Sequence, residues 1–125
     1  MMRALLIALL LLTGGCGSVS APEAAGALHV ADAGATLRLS NAADRPAYYI
    51  VLERDFAALA LWGPCSEPDR CPNIPARGAV SVPYTEIGGY QPGKREAIVY
   101  WWHLERQGDG TFRPDRIRST VVELR

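Results

Sequence analysis

The side chains in this 125-residue chain best suited to chemistry are three cysteines, two histidines and a pair of adjacent tryptophans. Cys65 and Cys71 lie close together in "WGPCSEPDRCPN", from Trp62 to Asn73. Three chemistries compete for such a pair. A zinc site asks for C-x2-4-C spacing and further ligands, whereas C-x5-C has only His29 and His103 to draw on, both remote in sequence. A redox dithiol asks for C-x-x-C at a helix N-terminus, and Pro64, Pro68 and Pro72 describe a rigid loop instead. A disulfide asks only for a turn that brings the two Cα atoms together, which the polar, proline-containing "SEPDR" supplies.

Acid–base or nucleophilic catalysis finds less support. There is no G-x-S-x-G, H-E-x-x-H or glycine-rich phosphate loop. His29 and His103 have the titration range of general bases, but no nucleophile is spaced to serve either. Glu86, Glu96 and Glu105 read as solvated carboxylates on strands and turns. The expectation is a non-enzyme that needs no cofactor and no metal.

"IVYWWH" is the strongest binding candidate. In a strand, Ile98, Tyr100, Trp102 and Leu104 share one face, which is expected to be core. Val99, Trp101, His103 and Glu105 share the other, which grades from apolar to charged and is expected to emerge toward solvent. Trp101 and His103 then form a candidate interaction surface for a protein or sugar. The competing reading puts Trp101 beneath a loop, such as the one closed by Cys65 and Cys71, with His103 a solvated strand residue.

The N-terminus reads differently. Met1-Met2-Arg3 is positive and "ALLIALLLL", Ala4 to Leu12, is unbroken apolar. Nine residues at about 1.5 Å each cover roughly half of a bilayer's hydrocarbon core, so the run fits a secretory h-region rather than a span. "TGGC", Thr13 to Cys16, resembles the lipobox of bacterial lipoproteins, with Thr13 where that family usually has Leu. The resemblance implies removal of residues 1–15, lipidation of Cys16 and a lipid anchor in the cell envelope. With Gly17 next, and not Asp, it implies the outer membrane facing the periplasm in a Gram-negative cell. Cleavage after "VSA", Val19 to Ala21, is the rival and would release a soluble protein. Export gives the cysteine pair its meaning, since an even pair outside the cytoplasm is expected as a disulfide.

Residues 16–26 form the lipidated N-terminus and a Gly/Ser/Ala/Pro tether, leaving 27–125 as one domain, with His29 in a segment expected to fray. Thirteen basic and thirteen acidic residues balance, which gives no field for nucleic acid. Twelve of the basic residues are Arg, with Lys94 the single Lys. "PDRIR", Pro114 to Arg118, is a small basic cluster read as charge pairing or a solvated face, with anionic lipid contact the alternative.

Period-2 segments between turn residues dominate this domain. "ATLRLS" alternates Leu37 and Leu39 with polar residues, and "AYYIVLER" is apolar on both faces, as a central strand is. Pro83 in "GAVSVPY" marks an edge strand. "DFAALALW" fits a short helix capped by Asp55 or a strand, and strand is the expectation. "EAIVYWWHLER" and "IRSTVVELR" complete an all-β antiparallel sandwich of about six to seven strands. The "N-x-x-D-R-P" turn at Asn41–Pro46, leading into an aromatic strand, resembles immunoglobulin-like domains of bacterial envelope proteins. The expected function is a lipid-anchored, non-catalytic protein that binds or scaffolds another envelope component. The alternative is a small-ligand or carbohydrate-binding lipoprotein accessory to an enzyme or transporter.

Overall fold

The computed structural model describes residues 28–125. The expected leader (1–15), lipidation at Cys16 and tether (16–26) fall on residues outside them. The described chain is an all-β antiparallel sandwich with one short helix. Strands β1 (Leu28–Asp32), β2 (Thr36–Asn41) and β5 (Ala79–Pro83) form one sheet, in the order β1-β2-β5. Strands β4 (Asn73–Ile74), β3 (Ala47–Glu53), β6 (Glu96–Trp102) and β9 (Arg118–Glu123) form the second, in that order. A hairpin of β7 (Leu104–Arg106) and β8 (Phe112–Pro114) extends β6, and helix α1 (Arg54–Leu59) follows β3.

The main core lies between the two sheets. Leu37 and Leu39 alternate inward from β2, as their spacing predicts, and meet Val51, Val99 and Trp101 from the facing sheet. β3 is central and covered on both faces, and β5, with Pro83 at its end, is an edge strand. Asn41 ties the corner of "N-x-x-D-R-P". Its amide nitrogen reaches the carbonyls of Arg45 (2.8 Å), Ile74 (3.2 Å) and Pro75 (3.2 Å), while its oxygen accepts from Ala43 N (3.0 Å).

Four sequence expectations are corrected. Nine strands form among the described residues, not six to seven, because "EAIVYWWHLER" breaks at His103 into β6 and β7 and the two-residue β4 carries no sequence period. His29 is not in a fraying end but in β1, paired with Ser40. "DFAALALW" is a helix followed by extended chain, and the cap is Glu53, whose carboxylate accepts from Asp55 N (3.1 Å) and Phe56 N (2.9 Å). The faces of β6 are also reversed. Ala97, Val99 and Trp101 enter the main core, while Trp102 enters a smaller cluster on the outer face with Tyr48 and Cys71.

At the far end of the sandwich the Tyr84 hydroxyl donates to Asp32 Oδ1, which also accepts from Gly34 N (2.9 Å). Asp32 Oδ2 accepts from Arg125 N at 2.9 Å. Burial works against the Asp32 charge, but these hydrogen bonds outweigh it and hold the carboxyl below its ordinary 3.8. Burial, followed by the bond to Asp32, pushes the Tyr84 phenol up. A depressed carboxyl stabilises the fold above its unfolded value, and that contribution is lost as pH falls through the lower folded value. Urea midpoints measured from pH 7 to pH 2 are therefore expected to decline below about pH 4. Tyr84→Phe is expected to cost about 1 kcal/mol at pH 7 and to show a weaker acid dependence.

Candidate interaction surface

The tryptophan–histidine pair is not where a partner can reach it. Trp101 is 1% exposed and His103 3%, so the expectation of a surface patch there is corrected. Trp101 points between the sheets, its indole edge-on to the His103 ring (5.8 Å between centroids) and covered by the Arg118 guanidinium at 4.7 Å. The grading of this face toward Glu105 suggested emergence into solvent, but Arg118, the cross-strand partner of Trp101 on β9, lies over the indole. His103 is a structural node. Its Nδ1 lies 2.8 Å from the Pro46 carbonyl, an acceptor that requires the proton on Nδ1. Its backbone N–H donates to Asp115 Oδ1 at 2.8 Å, and Asp115 also pairs with Arg45 and Arg118.

The loop of Cys65 and Cys71 covers the other tryptophan. The two cysteines are joined in a disulfide with Cα atoms 5.8 Å apart. Cys71 is buried against Tyr48 and Trp102, and Trp102 Nε1 donates to the Cys65 carbonyl at 3.0 Å. Trp62 packs on Tyr100 (4.5 Å between centroids) and lies nearly parallel to Trp102 at 6.2 Å. Residues 54–72 are thus a flap laid across the outer face of the four-stranded sheet, capped by Glu53 at one end and closed by the disulfide at the other.

What the flap turns outward is apolar. Phe56 is 44% exposed, Leu59 87% and Leu61 fully so, and α1 buries none of its residues. The ring of Phe56 lies on the turn at Gly88–Gly89. Gly89 has φ +77°, and a Cβ there would meet Phe56 Cγ at 2.2 Å, so only glycine admits this contact. Ion pairs Arg54–Glu96 and Lys94–Asp55 flank the helix. Three large apolar side chains within six residues, on a braced support, form the most concentrated apolar exposure among the described residues.

The sequence held a signal for this ridge. Phe56, Leu59 and Leu61 match neither the helical period nor the strand period throughout, and apolar residues that fit no buried face are candidates for display. No known protein family, curated protein or solved structure matches the chain. The geometry alone carries the functional reading.

Two other features bear on chemistry. An open cleft of about 680 Å³ is lined by Tyr90, Lys94, Arg95, Glu96, Glu123 and Arg125. It contains no tryptophan, and the Trp62 ring is occupied by its contacts with Tyr100 and Trp102. Glu86, Glu96 and Glu105 stand in separate elements, the 3-10 turn after β5, β6 and β7, and Glu96 pairs with Arg54. Among the described residues no three His, Cys, Asp or Glu side chains converge on one point.

Proposed function

We propose that this chain is a lipid-anchored, non-catalytic protein of the bacterial cell envelope, held through Cys16, that docks another envelope component with the ridge of Phe56, Leu59 and Leu61. The observation that carries the docking is the exposure of these three side chains on a flap braced by a cap, an aromatic stack and a disulfide. The anchor is supported by the order of positive, apolar, small and cysteine residues through Cys16. Tethering raises the local concentration of the ridge near its partner, so a modest apolar contact suffices.

Two measurements test this reading. Intact mass of the mature protein is expected to show a chain beginning at an acylated Cys16; a chain beginning at Pro22 would refute the anchor. The paired substitutions Leu59→Glu and Leu61→Glu are expected to leave the urea midpoint unchanged, because neither side chain is packed. They are expected to lower recovery of the crosslinked envelope partner by about tenfold or more. Unchanged recovery would remove the ridge from the interface.

A second reading, a small-ligand or carbohydrate-binding lipoprotein, draws on the cleft beside Tyr90. Lys94, Arg95 and Arg125 on its wall favour an anionic ligand over a neutral sugar.

A further inference from the structure

The four-stranded sheet ends on β9, and this edge is bare among the described residues. Leu124 N donates to Arg95 O at 2.7 Å, which fixes the direction of every backbone group along the strand. In an antiparallel ladder these directions alternate, so Val122, Thr120 and Arg118 turn their N–H and C=O toward β6. Ser119, Val121 and Glu123 turn theirs away from the sheet, and no hydrogen bond from another described segment occupies them. Between Arg118 and Glu123, the charged residues at its two ends, the strand carries none of the usual guards of an exposed edge. It has no proline, and its register with β6 is unbroken from Glu123 to Arg118. The opposite edge of the same sheet, β4, is two residues long with Pro72 and Pro75 on either side.

A second feature ends at the same place. Cross-strand pairing sets Leu52, Ile98 and Val121 side by side on the outer face, a row that runs from buried Leu52 to Val121, 56% exposed. The row is cut off at the edge with its last member in water.

We propose that β9 pairs antiparallel with β9 of a second copy of this chain, about a two-fold axis through Val121. This joins two four-stranded sheets into one continuous sheet. The occupant follows from the register. The outward-turned residues make the hydrogen-bonded pairs: Val121 faces Val121, and Ser119 faces Glu123 on either side of the axis. The Ser119 hydroxyl is then placed to donate to the Glu123 carboxylate across the junction. Arg118 faces Leu124, so no like charges are opposed. The apolar row continues without a gap as Leu52–Ile98–Val121–Val121–Ile98–Leu52. A two-fold interface must be self-complementary, and this strand is.

The test uses the full chain in the membranes of the cells that make it, with single added cysteines and mild oxidation. Residues facing each other across the axis lie about 5.5 Å apart at Cα, within disulfide reach. Val121→Cys is expected to give a crosslinked homodimer. Ser119→Cys and Thr120→Cys are expected to give none, because each lies well off its own symmetry mate. In detergent, the unmodified protein is expected to have the mass of two chains and Val121→Pro that of one. The proline removes only an outward N–H, so the ladder with β6 stays whole. Equal crosslinking at all three positions, crosslinking at Thr120 alone, a crosslink to a different protein, or a single-chain mass for the unmodified protein would each overturn the proposal.

Discussion

Trp101→Ala is expected to lower the stability of the domain by about 3–5 kcal/mol, a large share of the 5–15 kcal/mol typical of a small domain. Trp101 is 1% exposed at the centre of the main core, and its removal empties the largest single volume there. The loss extends beyond the cavity. Arg118 lies over the indole at 4.7 Å; its Nη1 reaches Asp115 and the Arg116 carbonyl, but its Nε is buried without a partner beside the ring. Without the indole, that charge is left half-buried beside a void. Urea unfolding followed by fluorescence of the remaining tryptophans measures the effect, and Trp101→Phe is expected to recover part of it. A Trp101→Ala protein with an unchanged midpoint and lost envelope contacts would instead restore Trp101 to the surface role its sequence position first suggested.

The second large effect is expected on replacing both Cys65 and Cys71 with serine, at about 2–3 kcal/mol. The loop is short, with a sequence separation of 6, so the entropic gain lies at the low end for a disulfide. The structural consequence is local. The disulfide closes the far end of the flap, and Cys71 forms one wall of the cluster that buries Trp102. With the bond gone, residues 60–72 are expected to exchange their amide hydrogens faster than the sheets do. Trp102 emission is expected to shift to the red as its bond to the Cys65 carbonyl opens. The docking proposed for Leu59 and Leu61 is expected to weaken as well, because the flap carries both residues. Two titratable thiols in protein isolated from the cells that make it would show that the bond is not made there.

Much of the fold was legible in the sequence, and each part that was not has its own physical cause. β2 has one buried face and one wet face, so its alternation was unambiguous, and β3 was readable as central because both its faces are apolar. The cysteine pairing followed from spacing and proline content. The face of β6 was misread because choosing the more apolar side as core presumes that only one side is covered. Here the flap covers the second side, and a strand in a middle layer gives no such contrast. The same cover explains Trp101 and Trp102 changing roles. The helix was misread because Glu53 and not Asp55 caps it, and a buried glutamate at the end of a strand looks in sequence like the strand's last polar residue. The ridge escaped notice because its one local signal, apolar residues that fit neither period throughout, marks a segment without saying what fails to cover it.

Adjacent indoles facing opposite ways also give β6 a lock against slippage. A shift of one residue relative to β3 would send each tryptophan to the opposite side. Trp101 would leave the main core to stand under the disulfide, and Trp102 would lose the Cys65 carbonyl and enter a space shaped for its neighbour. Either displacement alone would be costly, and the covalent geometry of a strand imposes both together. A misaligned chain therefore finds no compact state nearby to rest in. The two tryptophans act as a two-sided key that fits a single alignment of the central strands, so the domain selects its pairing by exclusion as well as by attraction.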